Sequence, residues 1–323
     1  MSTSKKVFLI GDINIDLALR GIKQDMANIN WKIGPELKID EFSFEIGGSG
    51  FNFIKALSSF GVEVGFYGKI GDDIFGDYIN KYLKKEKIQN SIVISKKIKT
   101  GITLVIPIGN NRIFFTFTGG NEYLNFKDLD LSKIIKFNHV HLSSFYLLKN
   151  LQGDVIRILK YLKSLDITTS FDTGYDPDGN WQRQKIFEIL GYVDIFIPNE
   201  VEALNITNKN NIKEAINLLS KYCPIVVIKL GSKGLAAKYS RGGKSKTIFL
   251  STYDVEVVDT SCSGDCFNAG FIYGYLNGYD FERSLDFANA CGSLQASKLG
   301  SYKFKGIFEV ENLMKVTKKV NLN

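Results

Sequence analysis

The residues best suited to chemistry lie at positions 259–265, which read Asp-Thr-Ser-Cys-Ser-Gly-Asp. Helix-like spacing of apolar residues follows at 266–276, and residues 255–258 before the run predict a strand. A run of small residues therefore leads into a helix N-terminus, where backbone amides without helical partners attract an anion. A phosphate group can approach those amides closely, and Asp265 would meet a hydroxyl brought to that phosphate. The pattern indicates phosphoryl transfer to an alcohol.

The proton chemistry of Asp265 follows from its position in the first helical turn. A helix N-terminus stabilises a carboxylate, so we expect Asp265 to be a weak base. Phosphoryl transfer tolerates a weak base because its transition state is loose and the hydroxyl proton leaves late. We expect Asp265 to orient the hydroxyl and accept its proton, a role worth about 10²–10⁴-fold in rate. The alternative is that Asp265 only caps its helix.

The N-terminus of the same helix favours the thiolate form of Cys262, so alkylation of that thiol is expected to inactivate the protein.

A second polar segment, Gly-Gly-Ser-Gly-Phe-Asn at 47–52, precedes a helix predicted at 53–60. Gly47 and Gly48 let a ligand approach the backbone closely. The side-chain amide of Asn52 can both donate to and accept from hydroxyl groups. A tight turn without a ligand is the alternative interpretation of the glycines.

Three polar side chains share one face near the N-terminus. Residues 7–15 predict the first strand, and the period of two places Asp12, Asn14 and Asp16 on the same side. They lie toward the carboxyl end of that strand, where open α/β sheets bind their ligands. Such a polar face suits a polyhydroxylated molecule, although Asp12 is equally explained as a turn residue.

Short apolar runs alternate with helical periods along most of the chain. The predicted strands are 7–15, 63–70, 140–144, 168–172, 193–198 and 225–230. The predicted helices are 53–60, 74–83, 154–165, 213–222 and 266–276. This alternation is typical of a parallel sheet covered by helices on both faces.

Two segments break the alternation and predict a small β lid on the α/β body. Residues 17–46 end in an alternating strand, and residues 100–118 predict a hairpin that turns at 109–111. We assign 17–46 and 91–122 to the lid, and 1–16, 47–90 and 123–323 to the α/β body that binds nucleotide and substrate. In the second arm of the hairpin, Ile113, Phe115 and Phe117 form an apolar face that must cover a site or meet a partner.

The run Asp-Thr-x-x-x-Gly-Asp at 259–265, followed by Phe-x-Ala-Gly at 267–270, resembles the C-terminal signature of the ribokinase-like (PfkB) carbohydrate kinases. The glycine-rich segment at 47–52 resembles the family's other signature, and the resemblance extends over residues 7–300. It implies an ATP-dependent carbohydrate kinase with a ribokinase-like three-layer α/β/α sandwich. That fold has a mostly parallel central sheet and a small β-sheet lid.

The resemblance also implies roles for individual residues. Cys262, Ser263 and Gly264 would form the anion hole beside the base Asp265. The residues assigned to the substrate are Asp12, Asn14, Asp16, Gly47, Gly48 and Asn52. The residues assigned to ATP are Asn199, Lys229, Gly231, Gly234, Thr260 and Asn289. Glu202 would organise Mg²⁺ together with Asn199, through water because Mg²⁺ dehydrates reluctantly. Asp259 corresponds to a ligand of a monovalent cation such as K⁺ in some relatives, or it only pins the turn.

Two departures from the family pattern limit what the resemblance says about the acceptor. Cys262 replaces the first glycine of the usual Gly-Ala-Gly-Asp, and residues 141–145 stand where many ribose-specific relatives carry a glutamate. Ribose is therefore not the expected acceptor, and ketohexose, pentose, sugar acid, inositol and nucleoside stay open. A nucleoside kinase is the main alternative. A nicotinamide-dinucleotide-binding oxidoreductase is the alternative from another class, but Phe53 occupies the third glycine position of its fingerprint.

The amino-acid composition argues against several other classes of protein. The chain has 323 residues, of which 44% are hydrophobic, enough for a sizeable core. The net charge is +7, but the lysines are scattered and form no basic stripe interleaved with aromatics, so we expect no nucleic-acid partner. The four cysteines form no disulfide framework, and no apolar run approaches the ~20 residues that span a membrane. We therefore expect a cytoplasmic protein without a membrane partner that acts on a small sugar-like molecule. Because relatives often pair lid to lid, the protein is expected to be either a homodimer through the lid or a monomer.

Overall fold

The computed structural model describes residues 5–20, 39–86, 88–90, 92–108, 111–241 and 244–320. The strands, in chain order, are β1 (Lys6–Ile10), β2 (Asn14–Arg20), β3 (Glu41–Gly47), β4 (Glu63–Tyr67), β5 (Lys69–Gly71), β6 (Gln89–Asn90), β7 (Val93–Ser95), β8 (Gly101–Ile108), β9 (Asn111–Phe117), β10 (His139–Leu142), β11 (Thr168–Phe171), β12 (Ile195–Phe196), β13 (Ile225–Lys229), β14 (Leu235–Arg241) and β15 (Lys244–Leu250). The helices are α1 (Ser49–Ser59), α2 (Ile74–Lys85), α3 (Val155–Ser164), α4 (Arg183–Leu190), α5 (Glu200–Thr207), α6 (Ile212–Leu219), α7 (Ser263–Leu276), α8 (Phe281–Ala296) and α9 (Ile307–Val316).

The large sheet has nine strands in the order β15-β14-β13-β12-β11-β10-β1-β4-β6. The pairs from β6 to β13 are parallel, and β14 and β15 continue the sheet as antiparallel strands. Its inner strands are apolar on both faces; in β1, for example, Val7, Leu9 and Ile10 are fully buried. Such strands need helices on both sides, because each face must be removed from water.

The helices form two layers with separate hydrophobic cores. Side chains of α1, α2, α7, α8 and α9 pack in one core, and those of α3, α4, α5 and α6 pack in the other. The three-layer α/β/α sandwich predicted from the sequence is confirmed. Within the described ranges, no helix is long and apolar enough to cross a bilayer.

A separate four-stranded sheet, in the order β3-β2-β8-β9, forms the predicted lid. Its register places Asn14 between Gly47 and Gly101, and pairs Ile102 with Phe117. Alternate residues therefore give the lid one polar face and one apolar face. The boundaries assigned to lid and body stay a prediction; residues 21–38 of the lid and 109–110 of the predicted hairpin turn lie outside the described ranges.

Three strand predictions were wrong. Residues 63–70 are not one strand: β4 ends at Tyr67 in the large sheet, and β5 pairs with β7 in a separate two-stranded sheet. Residues 7–15 are not one strand: β1 ends at Ile10, and β2 begins at Asn14 in the lid sheet. The chain changes sheets at residues 11–13, and the break was missed because apolar residues resume in the same alternation at Ile13 and Ile15 after Gly11. Residues 255–258 are not a strand either, because they lie in an exposed connection where Val257 and Val258 are more than half accessible. Helices α4 and α9 had not been predicted.

Candidate active site

The turn before α1 is held in place by Asp12. Its carboxylate accepts hydrogen bonds from the backbone N–H of Ser49 at 3.1 Å, of Gly50 at 2.9 Å and from Ser144 Oγ at 2.6 Å. A carboxylate at a helix N-terminus satisfies amides that have no helical partner. Gly48 in this turn has φ +99°, and a Cβ there would lie 2.8 Å from Asn14 Oδ1, so both conformation and space require glycine.

The predicted substrate face lies where the body meets the lid. Asn14 Nδ2 donates to Asp16 Oδ1 at 2.7 Å and to Thr103 Oγ1 at 3.0 Å. Burial, together with the smaller effects of the Asp12 and Glu45 charges, raises the pKa of Asp16 to about 7, although the hydrogen bond from Asn14 lowers it. Asp16 can therefore both accept and donate near neutral pH. These groups form a cluster suited to hydroxyl recognition; their contact with a substrate stays a prediction.

A chain of hydrogen bonds leads to the carboxylate of Asp265 at the start of α7. Asn52 Nδ2 donates to Asp265 Oδ2 at 3.0 Å, and Ser301 Oγ donates to Asn52 Oδ1 at 2.8 Å. Lys55 Nζ donates to the carbonyl oxygen of Ser301 at 2.5 Å and to its Oγ at 3.2 Å. Because Ser301 occupies the amide oxygen of Asn52, the amide N–H must point at Asp265. The chain fixes one rotamer of the predicted base.

The pKa of Asp265 corrects the prediction of a weak base. The pKa of this carboxyl is raised to about 8, chiefly by burial and in smaller part by the charge of Asp172, against the lowering effects of the Asn52 hydrogen bond and the Lys229 charge. The helix N-terminus therefore does not determine the pKa, because burial destabilises the carboxylate by more than the helix N-terminus stabilises it. Asp265 is a stronger base than the sequence predicted.

The small-residue turn before Asp265 has the backbone shape of an amide nest. Cys262 adopts φ +61°, ψ −3° as the N-cap of α7, and the amides of Ser263 and Gly264 follow in the first helical turn. A left-handed backbone is unfavourable for cysteine, whereas glycine would adopt it without strain. The predicted thiolate at Cys262 was wrong: burial raises the pKa of its thiol well above the usual value, and the charge of Asp265 raises it further.

Lys229 lies beside this turn at the end of β13. Its Nζ donates to Asp172 Oδ2 at 2.7 Å and to Asn268 Oδ1 at 3.2 Å, and Asn268 Nδ2 donates to the same Asp172 oxygen at 2.6 Å. A Cβ on Gly264 would lie 3.6 Å from Lys229 Nζ. Burial opposes both charges, yet Asp172 raises the pKa of Lys229, and Lys229 lowers that of Asp172. A permanent ammonium therefore stands next to the amides of the turn.

Asn199 and Glu202 form a capping box at the start of α5. The Asn199 backbone N–H donates to Glu202 Oε2 at 2.8 Å, and its Nδ2 donates to Oε1 at 2.7 Å. Asn199 also forms a parallel bridge with Lys229, which brings the pair near the turn. Burial and, to a smaller extent, the Asp172 charge raise the pKa of Glu202 to about 7.

The remaining residues assigned to ATP differ in how they are placed. Gly231 has φ +60°, and Gly234 has φ +93° with no room for a Cβ, which would lie 1.9 Å from the carbonyl oxygen of Leu250. Thr260 is exposed in the turn before α7. Asn289 is buried and donates from Nδ2 to the carbonyl oxygen of Ser251 at 2.7 Å. These four residues lie on the β13–β15 and α7–α8 side, and their contact with nucleotide stays a prediction.

Several residues of the cluster were not identified from the sequence. Lys55 and Asn268 each lie one helical turn after a predicted site residue, Asn52 and Asp265, so the period of the helix could have suggested them. Ser301 carries no signal in the sequence, because it reaches Asn52 from a loop 249 positions away.

Known proteins similar to this chain include carbohydrate kinases. Residues 4–305 match the model of the pfkB family carbohydrate kinases. An uncharacterized sugar kinase of Archaeoglobus fulgidus is 29% identical over 76% of this chain and 96% of its own length. An ATP-dependent ribose-1-phosphate kinase of Halopiger xanaduensis is 26% identical over 92% of this chain and 93% of its own. The structure described as ribokinase II from E. coli, in complex with ATP and Mg²⁺, superposes with a TM-score of 0.83 at 23% identity, covering 96% of this chain and 99% of that one.

The chain belongs to the pfkB family of carbohydrate kinases, because the family model matches nearly its whole length. The prediction of an ATP-dependent carbohydrate kinase with the ribokinase fold is confirmed. The comparisons do not favour a nicotinamide-dinucleotide oxidoreductase.

Proposed function

We propose that this kinase transfers the γ-phosphoryl group of ATP in line to a hydroxyl of a small, neutral, polyhydroxylated molecule, with Asp265 as the base. One observation carries the proposal: the Asp265 carboxylate, fixed by Asn52, lies at the N-terminus of α7 beside the ammonium of Lys229. A carboxylate of this kind can accept the proton of an alcohol, and an ammonium and backbone amides beside it can bind the phosphoryl group that the alcohol attacks.

The roles of the residues follow from their charges and contacts. Asn14, Asp16 and Asn52 would hold the acceptor by its hydroxyl groups and direct one of them at Asp265. Asp265, with a pKa of about 8, would take the proton as the new O–P bond forms. The amides after Cys262 would hold the transferring oxygens. A neutral acceptor is proposed because the carboxyl groups of Asp12, Asp16, Glu45 and Asp265 suit hydrogen bonds with hydroxyl groups and, where they are ionised, repel an anion.

The residues assigned to Mg²⁺ fit an ion that is held through water. Both Glu202 oxygens already accept hydrogen bonds from Asn199, and the side chain is only 3% exposed. Mg²⁺ prefers carboxylate and amide oxygens and keeps several of its waters. Bound there, it would neutralise charge on the ATP phosphates. We infer a cytoplasmic enzyme, since its four unpaired cysteines suit a reducing compartment.

A nucleoside is the second candidate acceptor, and Phe114 is the observation that favours it. Phe114 lies on β9 between Arg112 and Thr116, on the same face of the lid as Thr103 and Asn14. Although it is on the face turned toward the body, its side chain is 51% exposed. An aromatic ring open to the cleft can stack on a nucleobase, and stacked rings are worth about 1 kcal/mol beyond burial.

We expect a screen for ADP release to distinguish these acceptors. Purified protein with ATP and Mg²⁺ is given ketohexoses, pentoses, inositols, sugar acids, sugar phosphates and nucleosides, one at a time. A neutral sugar or polyol should give release above the acceptor-free rate, and sugar acids and sugar phosphates should give none. A preference for nucleosides, lost in Phe114→Ser, would select the second candidate. Release that no acceptor increases would contradict the kinase assignment of this site.

The outer face of the lid favours a homodimer. Phe42, Ile113, Phe115 and Phe117 are 62%, 45%, 59% and 56% exposed, and they share the lid face opposite Asn14 and Asp16. Elsewhere on that face Phe44 packs against Phe75 of α2, so only the part around these four side chains is open. A second copy offers the same apolar face, so each lid would cover the other.

We expect the double variant Phe115→Ser, Phe117→Ser to convert a dimer into a monomer. Burying two aromatic rings on each copy contributes several kcal/mol to association, on the order of 2 kcal/mol per ring. Sedimentation equilibrium measures the mass. The control is Phe308→Ser, a still more exposed ring on α9 at 74%, which should leave the mass unchanged. A monomeric wild-type protein at high concentration would refute the lid interface.

A further inference from the structure

An arginine of the lid reaches the turn that precedes the predicted base. Arg112 lies on β9, and its Nη1 donates to Asp259 Oδ1 at 2.9 Å across 147 positions of the chain. The two side chains are 25% and 18% exposed, so the ion pair is largely withdrawn from solvent. The guanidinium also lies 5.4 Å from the ring centroid of Phe114. This contact joins the acceptor-covering lid directly to the segment that forms the anion hole.

Asp259 is itself a junction between two loops. Its Oδ1 also accepts the backbone N–H of Ser261 at 2.8 Å, and its Oδ2 accepts that of Gly300 at 3.1 Å. Residue 300 adjoins Ser301, whose hydroxyl orients Asn52 and through it Asp265. The position of the Asp259 carboxylate therefore bears on both the amide nest and the base. A positive charge that neutralises the Asp259 carboxylate therefore also stabilises the positions of the amide nest and of Asp265.

The surroundings of Asp259 do not fit the monovalent cation that the family resemblance implies. Both carboxylate oxygens already accept N–H donors, and the negative charge is balanced by the Arg112 guanidinium. A potassium ion on this carboxylate would have to approach that guanidinium, against like-charge repulsion.

We propose that Arg112 supplies from the lid the positive charge that a monovalent cation supplies in some relatives. It is a positioning residue, which braces the 259–262 turn through Asp259. The inference rests on the proposed function of the turn as an anion hole. Its consequence is that the turn is braced only when the lid is closed. With the lid withdrawn, the bare carboxylate of Asp259 lies beside the site for phosphate and opposes its binding. Phosphoryl transfer would then take place only when the lid is closed over the acceptor and water is excluded from it.

The kinetic test compares wild type with Arg112→Gln in potassium chloride and in tetramethylammonium chloride at equal ionic strength. The wild-type kcat should be the same in both salts. In tetramethylammonium, the variant should lose about tenfold or more in kcat, the range for a charge-assisted hydrogen bond, with a smaller change in the acceptor KM. Potassium should restore much of that loss in a saturable manner. Arg112→Lys, which keeps the charge, should stay independent of potassium.

A second readout does not depend on activity. Potassium binding to the vacated site should raise the thermal midpoint of Arg112→Gln, because a ligand that binds only the folded state stabilises it. Wild type should show no such rise, and neither should the control Arg157→Gln, whose guanidinium covers the Phe126 ring on the body. Potassium activation of wild type, or a variant that potassium neither stabilises nor activates, would overturn the inference. If no acceptor were ever phosphorylated, the proposed function would fail while this midpoint still tested the cation site.

Discussion

Replacing Asp265 with asparagine is expected to lower kcat by about 10²–10⁴-fold, the range for loss of a general base, while ATP binding is retained. Asparagine has nearly the same shape and can still accept the hydrogen bond from Asn52, so the geometry around α7 should persist. Stability should not fall. Because burial raises the pKa of Asp265 to about 8, the ionised form is disfavoured by the fold, and that destabilisation grows as the pH rises from the ordinary pKa toward 8. The neutral amide removes it.

In this variant, turnover at saturating ATP should therefore fall, whereas the thermal midpoint should not. The matched control is Asp254→Asn, a surface carboxylate outside the cluster, which should change neither quantity. A variant that is both inactive and strongly destabilised would indicate a structural cap in place of a base. Turnover close to that of wild type would rule out the base assignment outright.

The same carboxyl group should set the pH dependence of the enzyme. A base must be ionised to accept a proton, so kcat/KM should rise with pH up to about 8, the pKa of Asp265 in the free enzyme, and then level off. The measurement is kcat/KM for the acceptor between pH 6 and pH 9.5, roughly two units either side of that pKa. The rise should disappear in Asp265→Asn. If the residual activity of that variant kept the same midpoint, another group would be titrating.

Replacing Lys229 with methionine is expected to destabilise the protein by about 3–5 kcal/mol, the range for removing one partner of a buried ion pair. Asp172 would be left as a buried carboxylate with Asn268 as its remaining side-chain donor, in a site where both ion-pair partners are at most 14% exposed. The ammonium beside Gly264 would also be lost, so the affinity for ATP should fall together with stability.

The double variant Lys229→Met, Asp172→Asn separates these two effects. Removing both charges should recover most of the stability, because neither group is then buried and unpaired, whereas ATP binding should stay weak. Urea unfolding gives the stabilities, and titration calorimetry gives the nucleotide affinity. Lys246→Met is the control, since its pair with Glu282 is exposed and should contribute about 1 kcal/mol or less. Full recovery of ATP affinity in the double variant would show that Lys229 has only a structural role.

Much of this protein could be predicted from local sequence patterns. Strand–helix alternation gave the three-layer body, because buried parallel strands must be apolar on both faces. The small-residue run at 259–265 and the glycines at 47–52 indicated the regions where α7 and α1 begin, although these helices begin at Ser263 and Ser49, three and four residues before the predicted starts. These features are local: the residues that define them are neighbours in the chain, so their types and spacing suffice.

The break between β1 and β2 was not visible, because the apolar period continues through Ile13 and Ile15 while the chain passes from one sheet to the other. The strand predicted at 255–258 failed for the opposite reason, since its valines have the right type, but none of the strands that the structure describes pairs with them. In both cases, whether the segment forms one strand depends on which other strands lie close enough to pair with it.

The sequence by itself determined the layers, the two helix N-termini and the residue types that meet there. Only the tertiary structure decided how those residues behave. The high pKa of Asp265 arises from burial, the orientation of Asn52 from Ser301, and the neutralisation of Asp259 from Arg112 in the lid. Burial and pairing depend on distances between residues that are hundreds of positions apart, and no local pattern of residue types encodes those distances.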